Sequence, residues 1–164
     1  MQARILRTRW LFANPAAFCS LAAAEIDAAY RIHGKRLRVR LNTFSDVPWE
    51  RVAPWLFTGP RRHVRFYDYT KGWRRADKTP RNYRLTLSAG SRTPEAAISA
   101  QVARGHAVAV VFPQSRGKAL PASLGPNRVI DGDRSDNRYH DRGVVVGLRA
   151  KGTMRTASRT LARP

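Results

Sequence analysis

This 164-residue sequence predicts an α/β fold built on a mostly parallel sheet of about six strands. Three observations carry that expectation. Short apolar runs of strand length recur along the chain and alternate with helical patterns. One run, Ala107–Phe112, is apolar at every position, as in a central parallel strand covered on both faces. Each run also gives way to polar or charged residues, and in parallel α/β sheets function collects at the carboxyl ends of strands. Six strands with few helices predict an open or partial barrel with helices on the outside, not a closed eight-fold one.

The elements follow in order. Met1–Phe12 sets Ile5, Leu6, Trp10 and Leu11 among Arg4, Arg7 and Arg9, the pattern of a short amphipathic helix. Asn14-Pro15 opens a second helix, with asparagine as cap and proline in the first turn. Its apolar stripe runs through Phe18, Leu21, Ala22, Ile26, Ala29 and Tyr30 until Gly34 stops it. Arg36–Leu41 alternates basic residues with Leu37, Val39 and Leu41, a strand with one buried face. Pro48–Phe57 reads as a short helix or turn, broken by Gly59-Pro60. Strands follow at Val64–Tyr67 and Tyr83–Leu87, separated by a basic loop over Thr70–Asn82. Thr93-Pro94-Glu95 opens a helix that Gly105 ends. Val129-Ile130 and Val144–Leu148 complete the sheet. Residues 1–152 are expected to form one domain, with N-terminal helices over 1–34. Residues 153–164 are expected to be a basic, disordered tail.

The chain carries 31 Lys and Arg against 11 Asp and Glu, a formal charge of +20. Such a balance points to a polyanionic partner, DNA or RNA. Arginine and alanine also have GC-rich codons, so a GC-rich genome raises both without selection for binding. No apolar run approaches the roughly 20 residues that cross a bilayer, and a soluble, cytoplasmic protein is expected. The single cysteine, Cys19, excludes an internal disulfide and reads as a small packing residue on the second helix. There is no P-loop, HExxH, nucleophile elbow or GxGxxG motif. His63 and His106 precede strands and read as structural or surface residues.

The run Val39-Arg40-Leu41-Asn42-Thr43-Phe44-Ser45-Asp46-Val47-Pro48-Trp49-Glu50 resembles the gene product 88 domain family of phages. So do Phe66-Tyr67-Asp68-Tyr69-Thr70-Lys71, Asn82–Ser88, Val129–Asp136 and Val146–Gly152, and the likeness spans most of residues 1–152. The resemblance implies a phage- or prophage-type protein. Through longer members it also implies the later part of a radical S-adenosylmethionine-like barrel, whose upstream cysteines would hold an iron–sulfur cluster. A cluster needs several thiolates and only Cys19 is present, so no cofactor is predicted. The rest of such a barrel would come from a second polypeptide or from a longer chain.

Asp46, Asp68, Asp131 and Asp133 fall at predicted strand ends, with Lys71 and Ser88 beside them. Parallel strands would deliver them to one rim, where carboxylates bind a ribose hydroxyl, coordinate a cation or act as a base. The competing reading is that they cap loops and neutralise arginines. Asp131–Asp136 with His140-Asp141 is the densest acidic stretch, but its spacing does not match an EF-hand loop; a turn held by aspartate side chains fits better, and no metal is predicted. A non-catalytic nucleic-acid binder is the alternative. There Arg36, Arg38, Lys71, Arg74, Arg75 and Arg81 would contact phosphate, and Tyr69 and Trp73 would stack on bases. A third class is an interaction subunit that docks an exposed sheet edge on its partner.

Overall fold

The structure, a computed structural model, describes residues 2–43 and 45–151. The tail expected over 153–164 lies outside the described residues. Seven strands form one open sheet in the order β1-β2-β3-β4-β7-β6-β5. They are β1 (Arg38–Arg40), β2 (Arg65–Thr70), β3 (Tyr83–Ser88), β4 (Ala107–Phe112), β5 (Ser123–Leu124), β6 (Asn127–Asp131) and β7 (Val144–Arg149). All neighbours pair parallel except the short β5–β6 hairpin, which periodicity does not predict. Its two-residue first strand is too short to show alternation. The sheet is not closed into a barrel.

Among the described residues four α-helices accompany the sheet: α1 (Gln2–Ala13), α2 (Pro15–His33), α3 (Trp49–Val52) and α4 (Glu95–Ala103). The Asn14 side chain accepts from the Ala17 N–H at the start of α2. Gly34 ends α2 at φ +54, a left-handed conformation that glycine adopts without a Cβ clash. The expected helix or turn over Pro48–Phe57 is α3 followed by a 3-10 turn at Pro54–Phe57. Within the basic loop, Trp73–Lys78 winds into another 3-10 turn.

The registers divide the sheet into two faces. Val39 aligns with Phe66, Phe66 with Tyr83, Leu87 with Val108, and Val108 with Val145. That face is the helix face. Phe66, Tyr83 and Leu85 pack with Ile26 of α2, Trp49 of α3 and Phe57. Leu87, Val108 and Val145 pack with Ile98 and Val102 of α4. Cys19 is buried in the first of these clusters, where burial raises its thiol pKa, in keeping with a packing role.

The opposite face carries Arg38, Arg40, Arg65, Tyr67, Tyr69 and Arg84 on β1–β3, then small residues such as Ala107, Ala109 and Val146. No helix of the core clusters packs there. Instead the connection between β6 and β7, residues 132–143, reaches across it to β1 and β2. The topology explains the asymmetry. From β1 to β4 and on to β6, successive parallel strands step one way across the sheet, and only β6 to β7 steps back. Right-handed crossovers that step in opposite directions pass on opposite faces. The returning connection therefore crosses the face that the helices leave bare. It starts at Gly132, which lies so close to β7 that a Cβ there would sit 2.6 Å from Val146 Cγ1. Among the described residues, no helix is long and apolar enough to cross a membrane.

Candidate functional site

The carboxyl rim holds the predicted acids, each already engaged. Asp68 differs from expectation in position. The second strand runs on to Thr70, so Asp68 lies inside β2 on the helix face, fully buried. Its Oδ1 accepts from the Asn42 backbone N–H at 2.7 Å, and its Oδ2 from Asn42 Nδ2 at 3.2 Å and the Tyr83 hydroxyl at 2.8 Å. Burial pushes its carboxyl up to about 7 even though the Asn42 and Tyr83 hydrogen bonds favour the ionised form. Asn42 is itself a hub. Its Oδ1 accepts from Ser45 Oγ, the Val47 N–H and Trp49 Nε1. Asn42 thus ties Ser45, Val47 and Trp49 to one side chain while donating to the buried Asp68 carboxyl.

The other rim residues are held in the same way. Arg75 chelates Glu50 through Nε and Nη2, at 2.8 and 2.9 Å, and pairs through Nη1 with Asp46. Asp46 also accepts from the Lys71 N–H and Thr70 Oγ1, so Lys71 contributes its backbone here and leaves its side chain exposed. Ser88 accepts Trp73 Nε1 on its carbonyl oxygen. Arg149 grips Asp131 through Nη1 at 2.8 Å and Nη2 at 3.0 Å, and Asp133 through Nη1 at 3.0 Å. The Arg149 hydrogen bonds hold Asp131 below the usual carboxylate range. Burial pulls Asp133 up, but the Arg149 N–H and guanidinium together bring it down as well.

Asp46, Asp131 and Asp133 lie toward the carboxyl ends of the strands and Asp68 within β2, and the four do not converge. Asp68 on β2 and Asp131 on β6 stand four strand positions apart, roughly 19 Å at about 4.8 Å per strand. Each cluster satisfies its own carboxylates with its own arginine, and Asp68 has hydrogen bonds in place of an ion pair. Among the described residues, no three His, Cys, Asp or Glu side chains are grouped to hold a metal ion.

The opposite rim and the bare face are built differently. Arg38 and Arg65 are side by side in the β1–β2 register. Both guanidinium groups approach one neutral acceptor, His140 Nε2, at 3.2 and 3.3 Å. Both also sit over the Tyr139 ring, each 5.6 Å from its centroid. Burial, then the field of Arg65, lowers the Arg38 pKa, and Arg38 Nε is buried without a partner among the described residues. Burial and then Arg84 lower the Arg142 pKa in the same way. His140 is held below its ordinary value by burial, then by Arg38, Arg65 and Arg142. Beside this group Arg40 pairs with Asp136 at 2.6 Å and lies over the Tyr69 ring at 4.9 Å, and Arg138 of the crossing connection pairs with Asp141 at 3.1 Å. Beside Arg65 opens a pocket of about 310 Å³, lined by Lys35, Arg62, Arg65, Asn82 and Tyr139 among others, with no acidic residue.

The sequence-predicted nucleic-acid residues do not gather in one place. Arg38 and Tyr69 lie on the bare face, and Arg36 is exposed in the turn before β1. Arg74 is exposed and lines a separate cleft with Trp73, Asp77 and Gln101, while Arg81 is exposed ahead of β3. Arg75 is engaged by Glu50 and Asp46. Sequence reasoning missed Lys35, Arg62, Arg65, Arg84, Tyr139, His140 and Arg142. A signal existed: Arg38-Val39-Arg40, Arg65-Phe66 and Arg84-Leu85 each set arginine beside an apolar residue in a strand. That alternation aligns the arginines on one face whenever the apolar partners share the other.

No curated protein and no solved structure matches the chain. The radical S-adenosylmethionine likeness expected through longer relatives gains no support from an open, helix-backed sheet. The model of the gene product 88 family, a phage gene product family, matches residues 1–164, and the chain belongs to that family.

Proposed function

We propose that this protein binds nucleic acid through the arginines of the helix-free face of its sheet and of the β6–β7 connection that crosses it, without catalysing a reaction on it. One observation carries the reading: a contiguous group of arginines, Arg38, Arg65, Arg84 and Arg142, forms no ion pair among the described residues. Elsewhere the scarce acids are matched to arginines, as Asp27 is to Arg61 and Asp77 to Arg104. Mutually repelling guanidinium groups that converge on an imidazole lack an anionic acceptor, and the phosphate backbone supplies one. Tyr139 and Tyr69 add ring surface under the arginines.

A small-ligand site on the carboxyl rim has less support. Its carboxylates are engaged by Arg75, Arg149, Asn42 and Tyr83, and a ligand would have to displace them. A partner that extended the sheet would add to β1 or β5, edge strands of three and two residues that offer little to pair with.

Fluorescence anisotropy with mixed-sequence single- and double-stranded DNA and single-stranded RNA, across a salt series, tests the proposal. Affinity is expected to fall steeply with salt. Replacing Arg38, Arg65 and Arg84 together by alanine is expected to flatten the slope by about 2 to 3, at about 0.9 for each duplex phosphate no longer neutralised. Unchanged binding by that variant, or no binding by the wild type, overturns it.

A further inference from the structure

The pocket beside Arg65 has chemistry that a flat cationic face does not. Its three cations come from separate places in the fold: Lys35 from the turn after α2, Arg62 from the turn before β2, and Arg65 from β2 itself. None forms an ion pair among the described residues. Arg62 donates through Nε to the neighbouring His63 ring at 3.0 Å, and Arg65 through Nη1 to His140. The remaining N–H groups of both guanidiniums have no acceptor among the described residues. The Asn82 amide shares its two N–H groups among the carbonyls of Phe57, Arg61 and Val64, at 3.1 to 3.2 Å, and so ties the 3-10 turns before β2 to the start of β3 as a floor. Tyr139 forms one side, its ring held by Arg38 and Arg65.

We propose that this pocket binds a phosphomonoester, deepening the nucleic-acid reading on which the strand-end form of the inference rests. Charge and size select that class. Three unpaired cations around one concavity exceed what a carboxylate or a backbone diester neutralises, since each brings a single charge. A phosphomonoester carries about 1.5 to 2 negative charges near neutral pH, and three oxygens that accept from forked guanidinium donors. At about 310 Å³ the cavity stands at the lower end of small-molecule sites, which run from about 300 to 1,000 Å³. That is room for one nucleotide. The phosphate comes either from a free mononucleotide or from the terminal phosphate of a strand lying across the bare face.

The test compares 5′-AMP, and two oligonucleotides of one sequence that end in a 5′-phosphate or a 5′-hydroxyl, on the full chain. The expected result is that the phosphate-ended strand binds about tenfold more tightly, the scale of one or two charged hydrogen bonds. Lys35→Ala with Arg62→Ala should erase that preference, whereas Arg84→Ala, on the face but outside the pocket lining, should weaken both strands alike. Lys35 and Arg62 are exposed, so their replacement leaves the core intact. Binding of 5′-AMP alone, lost in the double variant, supports the pocket and identifies its ligand as a free nucleotide, while the nucleic-acid reading falls. Equal binding of both strands with no binding of 5′-AMP overturns the pocket and leaves the nucleic-acid reading standing. Equal binding of all three ligands by wild type and double variant overturns it too.

Discussion

The two rims of this sheet use the same side chain in opposite ways. On the carboxyl rim, Arg75 and Arg149 each close on a pair of carboxylates. On the amino rim and the bare face, Arg38 and Arg65 converge on an imidazole and Arg62 on the histidine next to it. The first arrangement closes each guanidinium on carboxylates, and the second leaves Arg38, Arg62 and Arg65 with neutral acceptors. In a chain with 31 basic and 11 acidic residues, a structural arginine differs, on the proposed reading, from a binding one in whether a carboxylate reaches it. Substitutions at the carboxyl rim should therefore lower stability, and those at the amino rim should lower affinity.

The largest expected effect breaks the Asn42 hub at the carboxyl rim. Asn42→Ala removes the acceptor shared by Trp49 Nε1, the Val47 N–H and Ser45 Oγ, leaves the Trp49 N–H without a partner in the core, and takes one of three donors from Asp68. Each buried polar group left unsatisfied costs about 1 to 3 kcal/mol, so a loss of about 3 kcal/mol or more is expected. Denaturant unfolding measures it. A loss under about 1 kcal/mol would mean that the turn is not held by this asparagine.

Asp68 gives the next effect, through pH. Its carboxyl is raised to about 7 in the fold from an ordinary 3.8. The folded state thus keeps a proton that the unfolded state has released. The stabilisation is complete below the unfolded value near 3.8 and is lost as pH rises through about 7. The stability of the wild type minus that of Asp68→Asn should fall by about 2 kcal/mol between about pH 5 and pH 7, at 1.36 kcal/mol per unit. A difference that rises with pH has the wrong sign for a buried acid and would show Asp68 to be stabilised as the carboxylate.

How much of this contrast is legible in the sequence follows from where each signal resides. The parallel sheet is readable because Ala107–Phe112, Tyr83–Leu87 and Val144–Leu148 announce buried strands by composition. Asp68 is misplaced because a charged residue after the four residues Val64–Tyr67 reads as a strand end. The donors that accompany its burial mid-strand come from Asn42, 26 positions before it, and Tyr83, 15 positions after it. The rim acids look like a shared site when strand ends are counted without strand order; with three strands between β2 and β6, they fall into separate clusters. The amino-rim cluster is only half legible, for a topological reason. Strand alternation and the β1–β2 register set Arg38 beside Arg65, but His140 reaches them through the backward step from β6 to β7, and no local pattern around residue 140 reports which face its loop will cross.

Paired against each other, Arg75 and Arg84 sharpen the comparison. Arg75→Ala leaves Glu50 without its chelating partner, and Glu50 has a side chain only 5% exposed. A loss of about 2 kcal/mol is expected, in the range for hydrogen bonds to charged groups. Arg84→Ala removes an exposed cation near Arg142 and should stay within about 0.5 kcal/mol of wild type. Thermal unfolding of the two variants side by side decides this. Equal losses would erase the distinction between the rims.

The smallest effect is a shift in one histidine, and it reads the amino rim directly. His140 is exposed, so its titration has little leverage on stability, but its ring nitrogen senses every charge around it. Burial, then Arg38, Arg65 and Arg142, hold its pKa below the ordinary 6.5, and only Asp141 opposes them. Tyr139 stacks edge-on against the imidazole. Replacing Arg38 and Arg65 by alanine should therefore move the His140 titration upward, toward but not beyond 6.5, in a histidine-resolved NMR series. Adding inorganic phosphate to the wild type should move it the same way, because an anion held between the two guanidiniums favours the imidazolium. In the double variant the phosphate effect should vanish. A phosphate response that persists without Arg38 and Arg65 would locate the anion elsewhere and detach the histidine from the binding face.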